Sequence, residues 1–353
     1  MAEKATILIP DISGFTEFTG KTELDHSSHI INELLDLIVR SNELGFTLAE
    51  IEGDAVLFYR KGEPPPKKNL VEQCLTMFKN FHTQLKISER DTICQCGACQ
   101  TATNLTLKFI IHFGEVKEIK VAQFTKATGI DVIIAHRLLK NTIASHEYIL
   151  ISAPCLHTLP DQAATAELLW QSSQETYAAI GNVEFEYAEL SALKEQIPDP
   201  PPREEFVIVK GNDNLEVQIN APLRQVYQSL INVDERMNWE GVDKIERDPV
   251  TERIGMRHLC QIEGMTLENT ALYSEFTPDA ATYVERTVSK VMNVDMVQVF
   301  NMNALANNIT RLNMNINWQQ TQLLPEMMDG LLQKMKASLE SFKRYCETKT
   351  PDD

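Results

Sequence analysis

The chain lacks any long apolar run: no stretch approaches the roughly 18–20 apolar residues that a membrane-spanning helix needs. Its opening, MAEKATILIPDISGF, reaches a polar turn after an apolar run of about six residues, which is too short for the core of a secretory signal. These two absences predict a cytoplasmic protein. Cysteine is scarce, 7 among 353 residues, which excludes a disulfide scaffold. Positive charge is in deficit: 33 Lys and Arg stand against 50 Asp and Glu, for a net charge of −17. That balance excludes a general nucleic-acid binder, which needs a basic footprint, and disfavours docking on anionic membrane. There is no Gly-rich phosphate loop, no Ser-His-Asp order and no internal repeat.

What remains is an ordinary globular composition, 43% hydrophobic and 24% charged. At about 100–200 residues per domain, the length predicts two domains. The strongest punctuation is Ile197-Pro198-Asp199-Pro200-Pro201-Pro202-Arg203, where three consecutive prolines can continue neither a helix nor a sheet ladder. The expected division is therefore a first domain over residues 1–195, a Pro-rich linker over 196–205 and a second domain over 206–353. A second cluster, Pro64-Pro65-Pro66, reads as a loop inside the first domain.

Residues 5–9 form a short β-branched run that predicts a buried strand ended by Pro10. Ile30, Ile31, Leu34, Leu35, Leu37 and Ile38 share helical spacing over 24–42. Strands at 46–51 and 55–59 follow, joined as a hairpin through Glu52-Gly53-Asp54. A helix at 70–85, strands at 105–113 and 116–124, a helix at 131–141 and a strand at 148–152 complete the first domain. The order β-α-β-β-α-β predicts an α+β domain with a ferredoxin-like split arrangement.

Asp11 lies just past the first strand and Asp54 in the hairpin turn. If their strands are neighbours, both carboxylates reach one end of the sheet, where Mg²⁺ takes one or two carboxylates together with waters and substrate phosphates. The alternative is purely local: Asp11 caps a helix and Asp54 stabilises a turn.

These residues also sit in motifs. Ile9-Pro-Asp-Ile-Ser-Gly-Phe-Thr16 resembles the first metal motif of the class III nucleotidyl cyclases, and Glu50-Ile-Glu-Gly-Asp-Ala-Val56 resembles their second. Lys108-Phe-Ile-Ile-His-Phe-Gly-Glu-Val116 is similar to their central strand, and Gly129-Ile-Asp-Val-Ile-Ile-Ala-His-Arg-Leu138 to the helix that carries transition-state residues. The resemblance covers about residues 5–190 and implies a cyclase-homology domain, a homodimer, and sites at the subunit interface. It implies Asp11 and Asp54 as ligands of two Mg or Mn ions on a nucleoside triphosphate, with the Ile12 backbone carbonyl beside them. It places base recognition at Glu50, as in guanylyl enzymes, and at Lys126, which matches neither the adenylyl nor the guanylyl residue. Arg137 takes the transition-state arginine position. Two departures accompany the matches: Ile133 stands where the family has asparagine, and no lysine lies near Gly181, where the family clamps the terminal phosphates.

Cys94-Gln-Cys96-Gly-Ala-Cys99 brings three thiols within six residues, a spacing that points to structural Zn²⁺. His112, His82, Cys74 or a residue of a partner chain would supply the fourth ligand; the alternative is a loop that holds no metal. His26, His29 and His146 read as surface positions, and His136 as a helix-face residue.

In the second domain, residues 214–233 read as an alternating strand, then a helix opened by Pro222, with Trp239 in the loop that follows. Strand patterns recur at 258–263, 266–276, 281–290, 295–303 and 308–318, before an amphipathic helix that lines up Met328, Leu331, Leu332, Met335, Leu339 and Phe342. This order resembles the START-like (SRPBCC) superfamily over about residues 206–348. The resemblance implies a helix-grip fold: a curved antiparallel sheet wrapped on a long C-terminal helix around a cavity for an apolar small molecule or lipid. Trp239, Met328, Leu332 and Met335 are the pocket candidates. Ten of the twelve methionines fall between Met237 and Met335, which suits a ligand-lined cavity or a Met-rich core equally.

Two functions follow from these readings. One is a divergent cyclase tuned by a ligand in the second domain. The other is a catalytically silent signalling or scaffold module that keeps the fold.

Overall fold

A computed structural model describes residues 2–20, 24–158, 168–178, 180–203, 213–248, 250–305, 308–321 and 325–349. The described chain separates into two compact units: Met1–Arg90 with Gln100–Pro201, and Asp91–Cys99 with Pro202–Asp353.

In the first unit β1 (Glu3–Ser13) leads into α1 (Phe15–Gly20) and α2 (Leu24–Arg40). The hairpin β2 (Thr47–Glu52) and β3 (Ala55–Lys61) follows, then α3 (Lys67–Asp91) and the short α4 (Gly97–Thr101). Next come β4 (Thr106–Val121), β5 (Phe124–Thr128), α5 (Ile130–Leu138), β6 (Tyr148–Ser152) and α6 (Ala153–Leu156). The unit closes with β7 (Trp170–Tyr177), β8 (Gly181–Glu189) and α7 (Ser191–Lys194). The strands form one mixed sheet in the order β2-β3-β1-β4-β6-β8-β7, with β5 folded back on β4; the β4–β6 pair is parallel. β1 is central and buried along nearly its whole length, because Ile7, Leu8, Ile9 and Ile12 carry apolar surface to both faces.

Three expectations change here. β1 does not end at Pro10, with Asp11 beyond it, but runs on to Ser13, because Pro10 to Ser13 stay paired in register with Phe109 to Thr106 of β4. The strands foreseen at 105–113 and 116–124 are a single strand, β4, that continues through Gly114 to Val121. The sheet also gains β7 and β8, for which no strand is expected above: β8 alternates Val183, Phe185 and Tyr187 with acidic residues, whereas β7 reads Trp-Gln-Ser-Ser-Gln-Glu-Thr-Tyr and sits at an edge.

The second unit contains β9 (Asp213–Ile219), α8 (Leu223–Ile231), β10 (Lys244–Arg247), β11 (Arg257–Ile262), β12 (Met265–Phe276), β13 (Ala280–Ser289), β14 (Val294–Leu305), β15 (Ile309–Thr321) and α9 (Pro325–Thr348). Its seven described strands are antiparallel, in the order β10-β11-β12-β13-β14-β15-β9. α8 packs on β13, β14 and β15, and α9 packs on β9 and α8. The described protein is thus α+β: a mixed sheet with helices, then an antiparallel sheet with a long final helix. Among the described residues no helix is long and apolar enough to cross a membrane.

The segment Asp91–Cys99 joins the second unit through backbone pairing. Ile93 N–H donates to the Glu252 carbonyl at 3.0 Å, and Ile254 N–H donates to the Asp91 carbonyl at 2.8 Å. The Tyr227 hydroxyl donates to the Ile93 carbonyl at 2.7 Å, and Arg224 to that of Gln95 at 2.7 Å.

Candidate active site and thiol cluster

The end of β1 reads Pro10-Asp11-Ile12-Ser13, and its register sets Asp11 opposite Ala55 of β3 on one side and Lys108 of β4 on the other. Asp54 opens β3 from the hairpin turn, where Gly53 takes a left-handed φ of +62° that glycine adopts without steric cost. The Ile12 N–H donates to the Asp54 carbonyl at 3.0 Å, which locks the turn to the end of β1. Both aspartates therefore stand at one end of the sheet. Burial, and next the Asp11 carboxylate, push the Asp54 carboxyl above its ordinary range, against the pull of Lys108.

Lys108 was not foreseen as a site residue. Its Nζ lies 3.0 Å from Asp11 Oδ2 and 3.4 Å from the Leu139 carbonyl at the end of α5, so it joins the acidic pair to the helix C-terminus, where a cation is favoured. The signal was present: Lys108 is the one Lys or Arg in the mostly apolar run 105–113.

α5 carries the remaining residues of this end. Arg137 is exposed, and Ile133 stands one turn before it with half of its surface in solvent. The helix is latched to β4 by Asp131, which accepts from the Glu115 N–H at 2.7 Å and pairs with His112 Nε2 at 3.0 Å. His112 Nδ1 in turn meets Ser152 Oγ at 2.7 Å. Burial alone would raise the Asp131 carboxyl, but the bonds from His112 and Glu115 outweigh it and hold it low. Ser152 is wholly buried, so this Ser-His-Asp chain positions α5 and offers no nucleophile to a substrate.

Glu50 and Lys126 come together directly, with Lys126 Nζ 3.0 Å from Glu50 Oε2 and 3.6 Å from Glu52 Oε1. Glu50, Glu52 and His136 place their ligand atoms within 4.8 Å of one another. The ammonium of Lys126 bridges the two carboxylates. Gly181 opens β8 with φ +91° and no lysine beside it in the chain.

In the second unit the Sγ atoms of Cys94, Cys96 and Cys99 lie within 4.8 Å of one another, all buried. The Cys96 N–H donates to Cys94 Sγ and the Cys99 N–H to Cys96 Sγ, each at 3.4 Å. Amide donors aimed at sulfur stabilise thiolate, the form that binds metal. Bonding among the three thiols, and then burial, hold the Cys94 proton far more tightly than in an ordinary cysteine, a penalty that a cation at the cluster would lift. His112, one of the candidates for a fourth ligand, has both ring nitrogens engaged, by Ser152 and Asp131. His82 packs edge-on to Phe78 and Phe81, and Cys74 is buried in α3.

Of the pocket candidates, Trp239 is buried with its ring 4.7 Å from Phe342, whereas Met328, Leu332 and Met335 are half-buried on α9.

Known proteins share parts of this description. A family described as "Protein of unknown function (DUF2652)" matches residues 31–148. Among solved structures, the adenylyl cyclase CyaB from P. aeruginosa is 16% identical, with 53% of this chain and 94% of that chain covered at a TM-score of 0.39. The guanylyl cyclase Cya2 is 19% identical, with 54% and 92% covered at the same TM-score, 0.39. These are likenesses of fold over about half of the chain. In Mycobacterium tuberculosis, the uncharacterized protein Rv2561/Rv2562 is 30% identical over 180 residues, which are 47% of this chain and 77% of that protein. The chain belongs to the family of the uncharacterized protein Rv2561/Rv2562.

Proposed function

We propose that the first unit is a divergent nucleotidyl-cyclase-like module that binds a nucleoside triphosphate with Mg²⁺ or Mn²⁺. The observation that carries this reading is the placement of Asp11, Asp54 and Lys108 at one end of the central strands, with Lys108 Nζ 3.0 Å from Asp11. Two carboxylates against one ammonium leave a net negative charge and oxygen donors, the set that a hard divalent cation prefers. The residues present therefore fit the metal that the resemblance implies. When bound, the cation would neutralise phosphate oxygens; Asp11 and Asp54, with the Ile12 carbonyl beside them, would hold it. Lys108 offers the phosphates a cation of the protein's own.

Glu50 and Lys126 offer an acceptor and a donor side by side, which suits the hydrogen-bonding edge of a purine base. Leu48, Ile51, Ile130 and Ile133 are exposed on β2 and α5, and this apolar surface fits a second copy of the chain and hence a homodimer. Arg137 is the residue free to meet developing charge. Ile133 offers no hydrogen bond, and loss of a preorganised electrostatic contact costs roughly 3–4 kcal/mol of barrier, on the order of 10²–10³ in rate. Those departures favour a second reading, in which the module binds nucleotide for signalling and turns it over slowly or not at all.

The thiol cluster is read as a structural Zn²⁺ site, with three thiolates supplied by Cys94, Cys96 and Cys99. The second unit, an antiparallel sheet with a long final helix, is read as a START-like small-molecule domain.

Equilibrium dialysis with ATP, GTP, CTP and UTP, each with Mg²⁺ or Mn²⁺, tests the first proposal, with products followed by mass spectrometry. Metal-dependent retention of a purine triphosphate is expected. A cyclic product decides for the enzyme, and retention without product decides for the silent module. Absence of retention under every condition contradicts both.

A further inference from the structure

The second unit hides polar groups where its fold calls for hydrocarbon. Strand register sets His258 beside Asn269, Asn269 beside Thr287, and Glu285 beside Gln298, across the four neighbouring strands β11 to β14. All five side chains are buried, between 1% and 8% exposed. Part of this seam is satisfied: Gln298 Nε2 donates to Thr287 Oγ1, and Thr287 to Asn269 Oδ1, each at 2.7 Å.

The other part is not. Arg236, in the single helical turn before Trp239, forms a two-pronged pair with Glu285 at 3.1 and 2.7 Å and lies 3.6 Å from a Glu240 oxygen. Tyr283 also donates to Glu285, at 3.0 Å. Yet Arg236 Nε, Trp239 Nε1, Glu240 Oε2 and both ring nitrogens of His258 are buried without a hydrogen-bond partner among the described residues. A buried ion pair is no better than well-packed hydrocarbon, and an unmade hydrogen bond forfeits the solvation its atom had in water. Five such atoms at and around one arginine are a concentration of unmet hydrogen bonds that calls for a physical account.

The neighbouring surface supplies an approach. α9 presents one apolar face, but it is sealed only along its second half: Leu339, Phe342 and Cys346 are buried, whereas Leu331, Leu332 and Met335 remain half-exposed. An apolar body lying along that half would place its head toward Trp239, whose ring packs on Phe342.

We propose that the interior of the second unit binds a small amphipathic molecule whose uncharged head carries both a hydrogen-bond acceptor and a donor, as an amide or lactam does. This rests on the reading of that unit as a small-molecule domain and replaces a purely apolar occupant with one of defined head chemistry. The Nε–H of Arg236 and the Nε1–H of Trp239 require an acceptor, and Glu240 Oε2, which meets Arg236 only as an ion pair at 3.6 Å, can accept from a donor. Arg236 is already paired with Glu285 and Glu240, so a carboxylate or ammonium head would be desolvated there with no free counter-charge, a cost that an uncharged head does not carry.

Three chain-matched probes test this on the full-length protein: hexanamide, hexanoate and hexylammonium, each titrated by calorimetry. Hexanamide should bind at least about tenfold more tightly than either ion, the order of effect of a buried hydrogen bond. Trp239→Phe keeps an aromatic ring against Phe342 and removes the Nε1–H. It should weaken hexanamide by about tenfold while the thermal midpoint holds. Equal affinity for all three probes, or a Trp239→Phe protein that binds hexanamide as well as the parent, overturns the head chemistry and leaves the small-molecule domain standing. Failure of all three to bind overturns both.

Discussion

His258 shows how much a single buried side chain reports. Burial, and next the charge of Arg236, push its imidazole down to about 4 from 6.5, against the pull of Glu285. The folded state thus keeps His258 neutral while the unfolded chain takes up a proton below pH 6.5. Stability should therefore be fully present above that pH and decline toward pH 4, by at most about 1.4 kcal/mol per unit from this group. Urea unfolding followed by tryptophan fluorescence at pH 7.5 and pH 5 reads the decline, and His258→Leu should flatten it. An unchanged slope in that variant removes His258 as the cause. Site residues differ in how far the sequence exposes them. Asp11, Asp54 and Glu50 are legible because they lie in short motifs beside a turn or strand end. The role of Lys108 depends on its partner across a strand pair, and Arg236 meets Glu285 at a separation of 49 residues. No local pattern encodes such pairings.

Among the elements, the joint between β4 and α5 is the most constrained. A Cβ at Gly114 would lie 2.1 Å from the Asp131 carboxyl carbon, and one at Gly129 would lie 2.8 Å from the Glu115 carbonyl oxygen. Gly114 therefore gives no break between two strands, which its sequence context suggests; it makes room inside one strand for the Asp131 latch. Gly114→Ala should destabilise the first unit by about 2 kcal/mol or more through overpacking. Pairing it with Asp131→Ala should give back part of that loss, because the clash partner is gone. Hydrogen exchange on α5 reads both variants; strictly additive effects would show that the two positions do not share this contact. The helices and inner strands are readable because their apolar residues keep period. β7 is not, since an exposed edge strand such as Trp170–Tyr177 needs no apolar face.

At the scale of the whole molecule, the prolines do less separating than their number suggests. Lys86 of α3 donates to the Ile197 carbonyl at 2.5 Å and pairs with Asp199 at 2.8 Å, and Arg90 donates to the Pro201 carbonyl at 2.6 Å. The stretch before Pro202 is thus tied to the first unit. The second unit claims Asp91–Cys99 from the middle of the chain, through pairing that composition cannot reveal. That segment carries the thiol cluster. Zinc near one equivalent per chain is expected in purified protein, and cobalt substitution should give the intense thiolate-to-metal absorption of a three-sulfur site. Metal far below one equivalent, with no such absorption, would remove it.

The net charge of −17 argues against any broad anionic partner, yet it is compatible with a triphosphate held through metal at one end of the sheet. The most direct test of that claim is calorimetric titration of GTP and ATP, with and without Mg²⁺, into the parent protein and into Asp11→Asn/Asp54→Asn. The account predicts binding that requires Mg²⁺ and falls by at least about tenfold in the double variant, while that variant unfolds at a normal temperature. Equal affinity in the two proteins, or binding indifferent to Mg²⁺, would contradict it.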